Sequence, residues 1–304
     1  MKNISIIIPN YNGESLLKEN IPILLNALRN LKNRYEIIVV DDCSIDNSVK
    51  LLKEKFPLIK VIKTDKNSGF GSSCNLGVKE SKYEIVYFLN TDVKVTEGFL
   101  ESVLSKFDKA DIFAVGSISK NDGISIPVVS FKFGMFFYKY IEFQPANDFI
   151  QSIFVSGGHS AFDKNKFLEL GGFREIYSPF LWEDMDICYR AWKRGWGSFY
   201  NCKSLVYHKL GGTIKKIYDD NKISSIHWKN RFLFIWSNMG ICCLIQHFLF
   251  LPFWLLVFIL LGRIKILKGF FLAIPNFKKA FSLNKELFSF KDLEIIKKFG
   301  KIRI

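Results

Sequence analysis

Four short apolar runs, each closing in polar residues, constrain this chain more than any other feature. Ile4–Ile8, Tyr35–Val40, Ile59–Lys63 and Glu84–Leu89 are rich in β-branched residues, as strands covered on both faces must be. Helical stretches are predicted between them, over about Glu14–Leu31, Asp46–Phe56 behind a capping candidate at Ser44, and Ser72–Ser81. Strand and helix alternating at this spacing imply right-handed crossovers and an α/β fold, with a mostly parallel central sheet flanked by helices. The alternation lapses over residues 117–150, an aromatic-rich stretch expected to be an irregular or hairpin insertion. It resumes at Ser152–Phe162, with a helix near Glu183–Arg194 and a strand near Ser204–His208.

The four runs end in Pro9-Asn10-Tyr11-Asn12, Asp41-Asp42, Asp65-Lys66-Asn67-Ser68-Gly69 and Asn90-Thr91-Asp92. Turn chemistry alone accounts for Asn, Asp and Gly at any one such place. Four in register along one sheet edge point to a ligand site, because open α/β sheets bind ligands outside the carboxyl ends of their strands.

Lys and Arg number 43 against 29 Asp and Glu, a net charge of +14 that calls for an acidic partner. More than half of that excess, +8, lies between Arg263 and Ile304, directly behind Phe232–Gly262, which holds no charged residue. Basic residues beside an apolar stretch suit an anionic membrane surface and argue against nucleic acid. Roughly 20 residues cross a bilayer, so this stretch is long enough. A single span would nevertheless carry the basic tail away from the active site, against the tendency of basic flanks to stay cytoplasmic. Pro252, just after Gln246 and His247, also falls in its middle. The expected arrangement is a re-entrant or interfacial helical hairpin, followed by basic amphipathic helices through Phe270–Phe299; a true span is the alternative. The six cysteines show no metal-ligand spacing and read as small buried hydrophobes in a reducing compartment. Met1-Lys2-Asn3 runs straight into a strand, so no signal peptide is expected. The expected location is the cytoplasmic face of a membrane.

Ser5–Gly13 followed by Val39-Val40-Asp41-Asp42-Cys43-Ser44 resembles the family 2 glycosyltransferases of the GT-A fold, in particular their bacterial rhamnosyltransferase-like branch. The likeness continues in order through Asn67–Gly77, Phe88–Asp92, Gly171–Glu175, Glu183–Arg190 and Lys229-Asn230-Arg231, covering roughly residues 3–235. It implies an inverting glycosyltransferase, a hexosyltransferase. Such an enzyme moves a sugar from a UDP- or dTDP-linked donor to a hydroxyl of a lipid-linked or cell-surface glycan acceptor.

The resemblance also distributes roles. Asp42 matches the acid that reads the donor base, with Pro9 and Tyr11 walling it, while Asp41 orients the loop. Asn67, Gly69, Asn75, Asn90 and Arg231 fall at donor-binding positions. Asp92 matches the last acid of the family's DxD motif, and His208 its second metal-side residue. Mg²⁺ or Mn²⁺ is the implied cofactor, since a departing diphosphate needs its charge offset. Asn90 at the first DxD position departs from the pattern and weakens the anionic ligand set. Asp184 matches the general base that takes the acceptor proton, though acids in a first helical turn also complement the helix dipole. Trp182 and Glu183 fall on the acceptor side. The implied domains are a catalytic domain over 1–231 and a membrane-associating helical region over 232–304.

Two other readings compete with this one, once a dinucleotide motif is set aside. Gly69–Cys74 lacks the third glycine of a dinucleotide fingerprint and is rejected as one. A nucleotidyltransferase would open on a Gly- and Arg-rich phosphate loop, absent from Ile6–Gly13. A catalytically degenerate membrane scaffold or nucleotide-sugar binding protein is favoured only by Asn90.

Overall fold

A computed structural model describes residues 2–120, 124–142, 144, 146–208, 218–285 and 291–300. In chain order the elements begin β1 (Ile4–Asn10), α1 (Glu14–Ala27), β2 (Tyr35–Asp41), α2 (Ser48–Lys55), β3 (Lys60–Lys63), α3 (Phe70–Lys79) and β4 (Ile85–Leu89). Next come β5 (Val93–Val95), α4 (Phe99–Leu104), β6 (Ile112–Ser119), β7 (Ser125–Lys132), β8 (Met135–Glu142), β9 (Phe149–Ser152) and β10 (His159–Asp163). The remainder is α5 (Lys164–Glu169), α6 (Glu183–Lys193), β11 (Gly197–His208), α7 (Asp220–Asn238), α8 (Ile241–Leu260), α9 (Ile264–Ala273), α10 (Phe277–Ser282) and α11 (Lys291–Gly300).

The central sheet runs β3-β2-β1-β4-β10-β6-β11-β5, with β9 added against β11. Its first four strands are parallel, as the βαβ spacing requires. β10 then inserts antiparallel between β4 and β6, so the whole sheet is mixed. The period of two along β1 explains why the run is apolar throughout. Ile4, Ile6 and Ile8 join one core cluster while Ile7 joins the other, so both faces of the strand are covered. α3 lies so close on one face that a Cβ on Gly77 would stand 2.4 Å from the Ile7 side chain.

The aromatic-rich stretch divides into recognisable pieces. Its start completes β6, β7 and β8 form an antiparallel hairpin apart from the main sheet, and its end begins β9. Residues 121–123, 143 and 145 of this stretch lie outside the described residues, as do residues 286–290 of the expected amphipathic run.

The C-terminal part differs from expectation in two places. The boundary expected after Arg231 falls inside α7, where Phe232, Leu233, Phe234 and Ile235 are fully buried in the catalytic core. The helical break expected at Pro252 is absent, because that proline sits on the exposed side of a continuous α8. The chain instead reverses at Gly262, whose positive φ of 60° favours glycine. Farther on, α11 docks on the catalytic domain through a buried ion pair, Lys193 Nζ to Asp292 Oδ1 at 3.0 Å. Tyr189 donates a hydrogen bond to the same carboxylate at 2.6 Å.

Candidate active site

The polar strand tails meet at one cleft of about 300 Å³. Pro9, Tyr11, Asp42, Asn67, Gly69, Asn90, Asp92, Glu183, Asp184 and His208 all line it, so ten of the predicted site residues converge from six separate elements and loops.

At one end, β1 and β2 are tied together. Asn10 Nδ2 donates to Asp41 Oδ2 at 2.8 Å, and the Ser44 amide donates to Asp41 Oδ1 at 3.1 Å. Asp41 is therefore a buried turn organiser, while Asp42 opens on the cleft. Asp42 also gathers the following loop, accepting from the amides of Ser68 (2.9 Å) and Gly69 (2.7 Å) and from the Thr64 hydroxyl (3.1 Å). Gly69 is required there: its φ is 87°, and a Cβ would stand 2.9 Å from the Pro179 carbonyl oxygen.

In the middle, the Asn90 amide donates to the Gly158 carbonyl at 2.8 Å, fixing the tail of β4 beside β10. The pairing of β5 with β11 brings His208 to Asp92, with Nε2 3.5 Å from Oδ1. Asn90 Oδ1 and Asp92 Oδ1 are enclosed yet make no hydrogen bond. An imidazole beside enclosed, unbonded oxygens suits a hard divalent cation, Mn²⁺ especially. Among the described residues no three His, Cys, Asp or Glu side chains cluster for a metal. Phosphate and water would therefore supply much of the coordination. His159, which the sequence did not single out, meets the His208 ring edge-on, with centroids 5.6 Å apart. Burial, with His208 next to it, pushes the His159 pKa down to about 4, so it backs His208 as a neutral imidazole.

At the other end, α6 delivers the carboxylates. Leu181 and Trp182 carry positive φ values of 72° and 78°, turning the chain sharply into the helix. Asp184 accepts from its neighbour Met185 N at 2.7 Å and from Gly157 N at 3.3 Å. Burial raises its pKa. Burial and then the charge of Asp184 raise that of Glu183 well above the carboxylate range, and Glu183 Oε2 has no partner. Of the two, Glu183 holds its proton the more strongly. Asp186, one turn-face away, is a structural hub. Arg174 (2.9 Å) and Arg190 (2.7 Å) pair with it, and Tyr177 and Asn238 donate to it.

Three predicted residues do not line the cleft. Asn75 uses both ends of its amide on the Phe173 backbone, at 2.8 and 2.9 Å, and clasps α3 to the Gly172 turn. Trp182 is 3% exposed, packed among Phe136, Tyr138 and Phe234, so no sugar ring can stack on it. Arg231 lies over Trp228, 4.0 Å from the ring centroid, where burial lowers its pKa to about 10. Beside it, Asn230 Nδ2 donates to the carbonyls of Tyr177, Phe180 and Leu181, holding the loop that leads into Glu183. Phe180, Leu181 and Tyr218 add an apolar wall; their sequence neighbourhood carries no polar signal that could have found them.

A family model for glycosyl transferase family 2 matches residues 5–171, more than half of the chain. The chain belongs to this family. Among curated family-2 relatives, a poly(ribitol-phosphate) β-N-acetylglucosaminyltransferase, TarP, of Staphylococcus aureus is 32% identical over 44% of this chain and 42% of its own length. A poly(ribitol-phosphate) β-glucosyltransferase of Bacillus spizizenii is 36% identical over 42% of this chain and 21% of its own length. The matched stretch thus spans less than half of either relative. The solved structure of GalNAc-T7 with UDP, GalNAc and Mn²⁺ superposes with a TM-score of 0.61 at 19% identity, over 78% of this chain and 48% of that one. The fold is therefore GT-A.

Proposed function

We propose that the protein is an inverting transferase that moves a sugar from a UDP- or dTDP-linked donor to a hydroxyl of a lipid-linked or cell-surface glycan. It works at the cytoplasmic face of a membrane. One observation carries the reading: a single cleft is lined by Asp42, Asp92, His208 and the partly buried Asp184. The curated relatives are named for poly(ribitol-phosphate) acceptors, which supports a hydroxyl of a cell-envelope polymer as the accepting group.

In this mechanism Pro9 and Tyr11 flank the base, and Asp42 accepts its imide hydrogen. Asp92, His208 and Asn90 would hold a divalent cation, which when bound offsets charge on the departing diphosphate. Asp184 takes the proton from the acceptor hydroxyl, and attack from its side of the cleft inverts the anomeric centre. Glu183, whose pKa is raised further than that of Asp184, lies beside it on the acceptor side.

Titration with UDP, dTDP, GDP and CDP, with and without Mn²⁺ or Mg²⁺, tests the donor half. Metal-dependent binding selective for UDP or dTDP is expected, and a folded sample that binds no nucleotide would instead favour the degenerate scaffold. Asp92→Ala is expected to remove the metal dependence and weaken nucleotide binding roughly tenfold or more. Equal affinity of the variant and the unaltered protein in Mn²⁺ would refute the metal assignment.

A further inference from the structure

One described helix, α8, is long and apolar enough to cross a membrane, and only 22% of its most apolar window is buried. It is not the core helix of a soluble domain. Ile245, Leu249, Phe253, Leu256, Ile259 and Leu260 are each more than half exposed. Their spacing puts them on one stripe of the helix.

The opposite stripe is fastened to the catalytic domain. Leu244, His247, Leu251 and Phe258 are buried. His247 Nδ1 lies 2.7 Å from the Gly134 carbonyl oxygen, and Trp254 Nε1 donates to that of Phe133 at 2.8 Å. The tip of the β7–β8 hairpin is thereby clamped to α8, and Phe133 beside it is 58% exposed.

Both ends of α8 are tethered as well. Upstream, Gly240 follows α7 directly, and its amide donates to the buried Asp292 carboxylate at 2.6 Å. Downstream, α9 turns back onto α7, so closely that a Cβ on Gly269 would stand 2.5 Å from the Trp228 side chain. A helix bound at both ends and along one side to a single domain cannot thread a bilayer. Its free stripe can only meet the membrane from the side.

We infer that α8 lies in the plane of an anionic membrane surface, its outer stripe sunk at the level of the headgroups and first acyl carbons. This deepens, and rests on, the membrane-bound reading above. Charge selects the occupant. Between Asp220 and Glu286 there is no acidic residue, while nine Lys and Arg occur. Lys265, Lys268, Lys278 and Lys279 are exposed among the apolar side chains that follow α8. Apolar insertion with basic flanks is how an interfacial helix holds acidic lipid. A soluble partner or a second copy would cover the stripe but leave these cations without counter-charge.

Cosedimentation of the full chain with phosphatidylglycerol-containing and pure phosphatidylcholine vesicles tests the seat. Binding is expected to the former and to fall steeply with salt. Lys265→Ala and Lys268→Ala should each weaken it roughly fivefold. Leu249→Glu with Phe253→Glu should abolish it while UDP affinity stays unchanged. Binding that survives this double variant would overturn the α8 seat and leave membrane attachment standing. No vesicle binding by the unaltered chain would remove the membrane reading altogether. A dimer that binds no vesicle and is dissociated by the same two substitutions would assign the stripe to a second copy. Topology is decided in inverted bacterial membrane vesicles from a chain tagged at both ends. Protease added outside should remove both tags, whereas a protected C-terminal tag would mean that α8 spans.

Discussion

Asp184→Asn abolishes sugar transfer, lowering kcat by roughly 10³-fold or more, while donor affinity remains close to that of the unaltered protein. The substitution keeps the shape of the side chain and one of its two accepted hydrogen bonds, from Met185 N or Gly157 N, yet removes the proton acceptor. Because burial raises the Asp184 pKa, the rate should fall with decreasing pH through a value higher than that of an exposed aspartate. The neighbouring acid gives the internal control. Burial and the charge of Asp184 favour the protonated form of Glu183, and Glu183→Gln mimics that form. That variant should keep kcat within about one order of magnitude. Single-turnover rates and nucleotide titrations on both variants check the pair; near-normal turnover by Asp184→Asn would sink the assignment.

Two residues farther along the same helix the expected effect is on stability. Asp186→Ala leaves Arg174 and Arg190 facing each other without their shared carboxylate. Breaking a buried pair in this way costs about 3–5 kcal/mol, a large part of the roughly 5–15 kcal/mol that holds a domain folded. The variant is expected to show a sharply lower urea midpoint or to aggregate on expression. Burial alone would raise the Asp186 pKa, but Arg174 and Arg190 outweigh it and hold the value below that of an exposed carboxylate. Its contribution is therefore complete above the unfolded value of about 4 and is lost as pH falls through the lower folded value. Acid unfolding of the unaltered protein should release this stabilisation, and the Asp186→Ala midpoint should vary less over that window. An unchanged urea midpoint would show that Asp186 is not the hub.

The contrast between Asp184 and Asp186 also separates the two sources of information. In the sequence they are members of one acidic cluster, Glu183-Asp184-Met185-Asp186, with no local feature to rank them. Helical geometry turns one towards the cleft and the other towards two arginines, from a separate loop and from α6 itself. The resemblance puts Asn75, Trp182 and Arg231 at ligand-facing positions, but backbone hydrogen bonds hold Asn75 elsewhere and packing holds Trp182 and Arg231. His159 went unnoticed because its neighbours in the site, Asp92 and His208, are brought to it only by the pairing of β10, β5 and β11 into one sheet.

What the sequence determined by itself was the alternation of doubly covered strands and helices and the polar ends of the first four strands. Those are local properties, set by β-branched runs, capping residues and turn chemistry within a few positions, and they were enough to locate the cleft and part of its lining. The tertiary structure alone decided the mixed order of the sheet, the separation of base from ion-pair hub, and the path of the C-terminal helices. Burial decides each of these. Residues 232–235 are as apolar as those of α8 and equally suited to lipid by composition, yet packing encloses the first group in the core and leaves a stripe of the second exposed.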